Sequence, residues 1–298
     1  MKKPILLISA LAFTLAGVAQ GSDAPKIIYG NDDRYEVSDY PDAKFRELAK
    51  STAGMVRTSS LRSERNSLLS DGPSTESEFF TFNTYKTLES SQGVCEGERF
   101  AKQPTLPRCS GFLVAPDTLV TAGHCVTNSY DCLNYSWVFD YVEGTEKIKK
   151  SNVYTCKSIV GRKQTLGIFA TKDYAVIKLD RKVTDREPLE YRKKGSAKKN
   201  TELVVIGHPS GLPTKIADGA VITKKRWNFF YANLDTYGGN SGSAVFNKNT
   251  GLVEGILIQG AQDYVRGAGH CYESNRVSNN PEIAKEKVFK ISKVKELK

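Results

Sequence analysis

Three separated stretches of the chain carry the residue types that acyl transfer requires. His124 lies in the segment TAGHC, Asp173 opens the apolar run DYAVIKL, and Ser241 lies in the segment GGNSGS. A serine hydroxyl is a poor nucleophile until a base accepts its proton, and a buried carboxylate must hold that base in the right tautomer. These three residues together therefore predict nucleophilic catalysis of acyl transfer.

The glycines beside Ser241 suit a second requirement of this chemistry. The tetrahedral intermediate places negative charge on the former carbonyl oxygen, and backbone N–H groups must point at that oxygen. Gly239 lacks a Cβ and can adopt a conformation that directs its N–H inward beside that of Ser241. We expect these two amides to form an oxyanion hole, in which one donor contributes roughly 3 kcal/mol in the transition state.

The same residue types admit structural alternatives. His124 could be a buried structural histidine, and Asp180, at the far end of the strand from Asp173, could supply the acid instead. Because Asp180 precedes an arginine, a role in capping the following segment is favoured. The other two histidines, His208 in a Gly-His-Pro turn and His270 in a glycine-rich loop, are expected to be structural.

Short strand-like runs must position these residues. They recur at 112–114, 119–121, 136–139, 174–177, 203–206, 229–231 and 255–258, with turn residues between them. Short strands without intervening helices favour antiparallel barrels or a sandwich over a parallel α/β sheet. From Pro281 onward, Val288, Ile291 and Val294 share one helical face, which predicts a C-terminal helix.

The N-terminal quarter is predicted to lie outside the catalytic unit. A cationic start, an apolar stretch over 5–18 and small residues around Ala19 are typical of a secretory signal peptide over residues 1–19. Residues 20–78 are predicted to be a pro-region or arm that includes a Ser-rich linker, or else an ordered arm that wraps the domain. The catalytic domain is placed at 79–298, with one half at about 79–180, a linker at 181–200 and a second half at 201–298. Export predicts a secreted or periplasmic protein.

Composition excludes several classes of protein. The chain has 298 residues, of which 39% are hydrophobic, and a net charge of +10. This is too apolar for a disordered chain, and no apolar run after the first twenty residues is long enough to span a bilayer. The basic clusters are not interleaved with aromatic residues, so we expect a solvated surface rather than a nucleic-acid site, although attraction to anionic surfaces stays open. We expect a monomer.

All six cysteines follow the predicted signal peptide. Their even number in an oxidising compartment predicts three disulfides. No pair of cysteines and no Cys/His cluster has zinc-ligand spacing, so we expect no structural metal and no cofactor. The residues are Cys95, Cys109, Cys125, Cys132, Cys156 and Cys271.

Over roughly residues 95–270 the sequence resembles the trypsin-like (chymotrypsin-fold) serine peptidases, and within them the bacterial glutamyl-endopeptidase-like branch. The resemblance rests on CSGFLV, TAGHC, DYAVIKL, GHPSG and DTYGGNSGSAV, and on the order His, Asp, Ser along the chain. It implies an all-β fold of two antiparallel six-stranded barrels and a serine endopeptidase that acts on proteins or peptides. In that case His124 is the general base, Asp173 orients it, and Ser241 is the nucleophile.

The resemblance also implies one disulfide pairing. Cys109 and Cys125 have the spacing that this family uses for the disulfide beside the catalytic histidine. The other four cysteines allow three connectivities. We favour Cys132–Cys156, which would close a local hairpin around Trp137, and this choice leaves Cys95 to pair with Cys271.

The sequence departs from the family pattern before the nucleophile. Family members that are activated by N-terminal cleavage have an aspartate there, whereas Asn240 carries no charge to attract a freed ammonium group. Asp235, six residues before Ser241, occupies the position of the acid that binds a substrate Arg or Lys, or else it only anchors its loop. The resemblance assigns Thr236, Gln259 and Gly260 to substrate binding with it. No histidine lies in the strand where the glutamyl branch has one, so we expect cleavage after basic residues.

Two other functions fit the same motifs. A protease homologue without catalytic activity could act as a secreted binding protein, although all three triad residue types are present. A secreted esterase could use the same triad on small esters.

Overall fold

Strands dominate the computed structural model of the chain, which describes residues 28–65, 76–82, 86–165, 171–260 and 262–298. The strands up to the middle of the chain are β1 (Ile28–Tyr29), β2 (Arg34–Glu36), β3 (Thr52–Arg57), β4 (Leu61–Arg65), β5 (Glu76–Phe82), β6 (Cys109–Ala115), β7 (Thr118–Thr121), β8 (Tyr135–Phe139), β9 (Ile148–Lys149), β10 (Val153–Thr165) and β11 (Lys172–Leu179). Three short α-helices lie between them, α1 (Ala43–Ala49), α2 (Leu88–Gln92) and α3 (Ser129–Asn134).

The remaining strands follow a stretch, 180–201, that contains no helix or strand of its own. They are β12 (Glu202–Gly207), β13 (Lys215–Lys225), β14 (Phe229–Ala232), β15 (Ala244–Asn247), β16 (Val253–Gln259), β17 (Tyr264–Arg266), β18 (Tyr272–Ser274), β19 (Arg276–Val277) and β20 (Glu286–Lys290).

Two six-stranded antiparallel barrels form the core, as the family resemblance implies. The first closes in the order β10-β11-β7-β6-β3-β8. The second runs β12-β15-β16-β20-β14-β13, and the pairing of β12 with β13 closes it. Alternating buried side chains of β6, β7 and β11 fill the first barrel, where Phe112, Val120 and Ile177 are fully buried.

The first barrel starts earlier than predicted, so the boundary at residue 79 is wrong. Strand β3 lies within the proposed arm, yet it closes the first barrel between β6 and β8. Its residues Ala53, Met55 and Val56 are buried, which makes it a core strand. Strand β2 extends the second barrel by pairing with β13, so residues 28–65 are part of the domain rather than a separate region. The predicted signal peptide over 1–19 and part of the Ser-rich segment, 66–75, lie outside the described residues.

The predicted C-terminal helix is also wrong. Residues Glu286–Lys290 form β20, which pairs with both β14 and β16, and three-residue 3₁₀ turns lie at Ile291–Lys293 and Lys295–Leu297. Val288 is fully buried in the second barrel, and Ile291 and Val294 are buried in the main core. The apolar spacing that resembles a helical face thus arises from one strand position and two turn positions that all point inward.

All three favoured disulfides are present, Cys95–Cys271, Cys109–Cys125 and Cys132–Cys156. Cys95–Cys271 joins residues 176 apart along the chain and ties the segment between α2 and β6 to the loop between β17 and β18. Among the described residues, no helix is both long and apolar enough to cross a membrane.

Candidate active site

Barrel register brings His124 and Asp173 together. In the β11–β7 pair, Ala175 lies opposite Thr121. Asp173 is two residues before Ala175 and His124 is three residues after Thr121, so both lie at the same edge of the barrel. There the Asp173 carboxylate accepts two hydrogen bonds from His124, one from the backbone N–H at 2.9 Å and one from the ring Nδ1 at 2.7 Å. The Asp173 side chain is buried, whereas that of His124 is 32% exposed. The ring is therefore held from the protein side while its other face stays open to solvent.

Gly123 explains why a glycine precedes the histidine. A Cβ at this position would lie 2.3 Å from the carbonyl oxygen of Lys163 and 3.0 Å from a carboxylate oxygen of Asp173. Any larger residue would push the turn away from β10 and β11. The motif thus encodes a close backbone approach that the two hydrogen bonds of Asp173 require.

Ser241 lies on the loop between β14 and β15, and contacts with the first barrel hold it near His124. Its carbonyl oxygen accepts a hydrogen bond from the N–H of Ser110 at 2.8 Å and contacts Sγ of Cys125 at 3.6 Å. A ring nitrogen of His124 lies within 4.8 Å of both sulfurs of the Cys109–Cys125 disulfide. No hydrogen bond joins the Ser241 hydroxyl to His124 within the described part of the chain.

The amides of Gly239 and Ser241 differ from their neighbours in the same loop. Gly238 donates to Asp263, Asn240 donates to the carbonyl of Tyr237, and Gly242 and Ser243 also donate to acceptors of the protein. Within the described ranges, the N–H groups of Gly239 and Ser241 donate to no acceptor in the protein. Between Gly238 and Ser243, the two amides predicted to bind an oxyanion are thus the two that donate to no acceptor in the described structure.

A short chain of hydrogen bonds holds this loop in place. The N–H of His208 donates to Oγ of Ser110 at 3.0 Å, and that hydroxyl donates to the carbonyl of Gly239 at 2.8 Å. The carbonyl of Gly238 accepts a hydrogen bond from the N–H of Ser210 at 2.5 Å. Because this carbonyl and the N–H of Gly239 belong to one trans peptide unit, the N–H of Gly239 points in the opposite direction. Gly239 has φ +92°, and a Cβ there would lie 2.4 Å from the carbonyl of His208. Only glycine fits this position.

His208 is fully buried between the barrels. Its Nδ1 lies 3.1 Å from the carbonyl oxygen of Leu212, and burial lowers its pKa to about 4. It is therefore neutral at physiological pH and far from solvent, as a structural histidine would be. His270 is exposed, and its Nδ1 accepts a hydrogen bond from Arg266.

Ser110 and His208 were not predicted as site residues. Both lie within motifs that carry the family resemblance, CSGFLV and GHPSG, and this is the signal that could have found them. Asn240 is buried, and its Oδ1 accepts a hydrogen bond from Ser243 at 3.2 Å, so it supports the loop without a charge.

Asp235 faces the N-terminal segment instead of an open pocket. Its two carboxylate oxygens accept hydrogen bonds from the backbone N–H groups of Tyr29, at 2.8 Å, and Asp33, at 3.1 Å. The side chain is buried, and burial raises the pKa of its carboxyl group to about 7. The prediction that Asp235 binds a substrate cation therefore does not match its surroundings in this structure, and its anchoring alternative does.

The segment that contacts Asp235 is fixed by a buried arginine that sequence reasoning missed. Arg34 forms two hydrogen bonds to the carboxylate of Asp32, at 2.8 and 2.6 Å, and its guanidinium lies 4.3 Å from the ring centroid of Tyr237. Because Tyr237 lies two residues before Gly239, this contact braces the loop that carries the candidate oxyanion donors. Nothing in the local sequence distinguishes this arginine from exposed ones.

Thr236 and Gly260 converge on a different acid, Glu286. Oγ1 of Thr236 donates to Oε2 of Glu286 at 2.9 Å, and a Cβ on Gly260 would lie 2.5 Å from the same oxygen. Glu286 is the first residue of β20 and is fully buried, whereas Gly260 is exposed. Gln259 is exposed, and its Oε1 accepts a hydrogen bond from Nζ of Lys287 at 2.8 Å. Glu286 lies in the segment that the sequence predicts to be a helix, and no motif there indicates a buried acid.

One group of possible metal ligands occurs at the site, Cys109, Cys125 and His124. The two sulfurs are joined in a disulfide, so neither is available as a thiolate ligand. The donor set therefore does not fit a metal.

Comparison with known proteins agrees with this geometry. Residues 109–256 match the trypsin-like peptidase domain. The chain carries a trypsin-like peptidase domain. The matched residues include His124, Asp173 and Ser241, and the two barrels give the chain the chymotrypsin-like fold.

One solved structure shares the fold of the chain. A Glu endopeptidase in complex with MPD is similar with a TM-score of 0.52 and 17% sequence identity, covering 91% of this chain and 97% of that one. An inactive serine-to-alanine mutant of Rv3671c from M. tuberculosis H37Rv matches with a TM-score of 0.46 and 12% identity, covering 90% of this chain and 93% of that one. No curated protein sequence matches the chain.

Proposed function

We propose that the protein is an exported serine endopeptidase in which His124, Asp173 and Ser241 form the catalytic triad. The observation that carries the proposal is the pair of hydrogen bonds from His124 to Asp173. Donation from Nδ1 to the carboxylate leaves Nε2 of His124 as the acceptor, which is the tautomer that a general base needs.

The remaining groups have the roles that the chemistry demands. Oγ of Ser241 attacks the carbonyl carbon of the scissile bond while its proton passes to Nε2 of His124. The N–H groups of Gly239 and Ser241, which have no internal acceptor, stabilise the resulting oxyanion. The imidazolium then donates its proton to the leaving amine, and a water molecule hydrolyses the acyl-enzyme by the same steps.

Covalent labelling tests the nucleophile. A fluorophosphonate probe is expected to label Ser241 in the purified protein, and Ser241→Ala is expected to lose both the label and peptide hydrolysis. Ser158→Ala, an exposed serine on β10, is the matched control and should keep both. Peptide hydrolysis that persists in the Ser241 variant would contradict the proposal.

The same measurement separates the two alternatives. A protease homologue that acts only as a binding protein would not react with the probe, whereas the charge-assisted contact between His124 and Asp173 supports a working base. A secreted esterase would react with the probe but hydrolyse small esters and not peptides, so parallel assays of the two substrate classes distinguish it.

Export is supported by the disulfides. Three disulfides, which use all six cysteines of the chain, are expected in an oxidising compartment such as the periplasm or the extracellular medium. Cell fractionation with N-terminal sequencing of the exported protein tests both the location and the predicted cleavage after residue 19.

For specificity we propose that Glu286, and not Asp235, selects substrates with basic side chains. The amides of the N-terminal segment already occupy the carboxylate of Asp235. Glu286 lies beneath the exposed Gly260, where a Cβ would approach the carboxylate to 2.5 Å, so only a glycine backbone separates the carboxylate from the surface at this point. A buried carboxylate attracts a substrate cation and repels an acidic side chain, so the pocket disfavours cleavage after Glu.

A panel of peptides that differ only in the residue before the scissile bond tests this assignment. Glu286→Gln keeps an oxygen to accept the hydrogen bond of Thr236 but removes the charge. It is expected to lower kcat/KM for Arg and Lys peptides by about 10- to 100-fold relative to an Ala peptide, the range for a hydrogen bond to a charged group. Asp235→Asn, the matched control, should leave this ratio unchanged. The reverse pattern would return the role to Asp235.

A further inference from the structure

The hairpin between β13 and β14 carries an exposed aromatic residue among cations. Trp227 lies at the hairpin tip with 76% of its side chain exposed, the second largest exposed fraction among the large hydrophobic residues that the structure describes. It follows Lys225 and Arg226, which are also exposed. Nζ of Lys293 lies 4.4 Å from the centroid of the tryptophan ring. The exposed ring leaves a large amphipathic surface in water, and here cations surround it.

A cationic groove begins under this tip. It has a volume of about 390 Å³ and is lined by Lys225, Arg226, Trp227, Lys290 and Lys293 with Gly195, Ser196 and Ser292. A second cavity shares Gly195 and Ser292 and adds Lys193, Lys194 and Lys298. We call these residues together the Trp227 surface. No acidic residue lines either cavity.

The cations of this surface are not neutralised within the described part of the protein. Lys225, Arg226, Lys290 and Lys293 form no ion pair with a carboxylate there. Lys290 instead donates to the backbone carbonyl of Trp227 at 3.2 Å, which fixes the hairpin tip over the groove. Burial, together with repulsion from Lys225 and Lys293, lowers the pKa of Lys290. A negatively charged ligand would relieve this repulsion.

We propose that the Trp227 surface binds the anionic phospholipid headgroups of a bilayer, with the indole ring inserted at the interface. The argument is charge complementarity combined with the single aromatic residue at a projecting tip. Tryptophan prefers the boundary between headgroups and acyl chains, and flanking Lys and Arg side chains pair with lipid phosphates. A single exposed ring offers no platform for the successive bases of a nucleic acid, which favours the bilayer.

This contact is peripheral and separate from the candidate active site. None of the residues of the Trp227 surface belongs to the triad, the oxyanion amides or the pocket around Glu286. The proposal therefore does not depend on catalysis. For an exported peptidase, it would concentrate the enzyme at a bilayer surface without a membrane span.

Tryptophan fluorescence provides a direct test, because the chain has only two tryptophans and Trp137 is 1% exposed. Vesicles with about one-third phosphatidylglycerol in phosphatidylcholine should shift the emission to shorter wavelength and sediment the protein, whereas pure phosphatidylcholine vesicles should do neither. Trp227→Phe should sediment but lose the shift, and Trp227→Ala should weaken sedimentation about tenfold.

Charge removal tests the cationic part. Each basic residue at an anionic surface strengthens binding about fivefold, so Lys225→Ala with Arg226→Ala should weaken vesicle binding about 25-fold. The matched control is Lys157→Ala with Lys182→Ala, which removes the same charge from exposed positions on β10 and in the connection after β11 and should bind normally. All four single and double variants should keep peptide hydrolysis in solution.

Two results would overturn the proposal. An equal loss in the Lys157 and Lys182 control would mean that net charge alone attracts the protein to vesicles. Binding to a single-stranded oligonucleotide that is lost in the Lys225 and Arg226 variant, without binding to phosphatidylglycerol vesicles, would assign the surface to nucleic acid instead.

Discussion

Replacing Asp173 with asparagine should separate the hydrogen-bonding role of this residue from its place in the fold. The aspartate accepts from both the backbone N–H and the ring Nδ1 of His124, at 2.9 and 2.7 Å. An asparagine has the same shape but only one oxygen, and its amide nitrogen cannot accept from an N–H. One of the two N–H donors of His124 must therefore face the amide NH2 group of the asparagine, which is itself a donor.

The ring is the donor that can adapt, because the imidazole can move its proton to Nε2 while the backbone cannot. Nδ1 would then accept from the asparagine, and Nε2 could no longer accept the proton of Ser241. The wrong tautomer in a Ser-His-Asp triad lowers kcat about 10⁴-fold, which corresponds to about 5.5 kcal/mol. The lost charge-assisted hydrogen bond accounts for up to about 3 kcal/mol of this value, and the tautomer accounts for the rest.

Steady-state hydrolysis of a fluorogenic peptide measures the effect, with kcat and KM determined separately. Asp180→Asn is the matched control, because Asp180 also accepts a backbone N–H, from Thr155 at 2.9 Å, and was the alternative candidate for the acid. It should keep near-normal kcat, and Asp173→Asn should keep its KM and its thermal unfolding. A loss of less than about tenfold in Asp173→Asn, or an equal loss in Asp180→Asn, would refute the assigned tautomer and with it the role of Asp173.

Three further predictions concern the surroundings of the site. Burial lowers the pKa of His208 to about 4 in the folded state, against about 6.5 in the unfolded state. The unfolded chain therefore binds a proton first, and the free energy of unfolding should fall by about 3 kcal/mol as the pH drops from 6.5 to below 4. His208→Gln should lack this contribution in urea titrations at the two pH values, and an unchanged pH dependence would contradict the burial argument. Asp235 has the opposite sign: its folded pKa of about 7 lies above the unfolded value, so ionisation should lower stability as the pH rises from about 4 to 7, and the same titrations should find a flatter profile in Asp235→Asn. Gly239→Ala should lower kcat at least about 100-fold because it displaces an oxyanion donor. Gly251→Ala is the control, because Gly251 also has a positive φ but its Cβ would have more than 3.5 Å of clearance, so this variant should lose only stability. Equal kcat values in the two variants would argue against the proposed oxyanion hole.

Much of the candidate site could be predicted because its residues occur in short sequence motifs. A glycine precedes the histidine in TAGHC, and two glycines precede the serine segment in GGNSGS. In the structure, a Cβ at Gly123 or Gly239 would clash with a neighbouring backbone carbonyl, so both positions require glycine. The pairing of Cys109 with Cys125 came with the same motifs. What the motifs could not reveal is support from outside them, such as the buried Arg34 that packs against Tyr237.

The errors in the predicted fold have a common physical cause. A strand of five or six residues and a short helical stretch can bury the same apolar residues, so periodicity alone did not distinguish β20 from a helix. Strand β3 was overlooked because Thr52–Arg57 is followed by a polar, Ser-rich segment that resembles a linker. In both cases the partner strands decided the outcome, since β3 completes one barrel and β20 the other.

The amino-acid sequence by itself determined the all-β class, the residue types of the candidate site and the order of its three candidate catalytic residues, because these depend on residue type and local conformation. Only the tertiary structure decided which groups surround each buried acid. Tyr29 and Asp235 are 206 positions apart, and Thr236 and Glu286 are 50 apart, yet in the folded protein Tyr29 donates to Asp235 and Thr236 donates to Glu286. Such assignments depend on which groups folding buries together, and no local pattern records that.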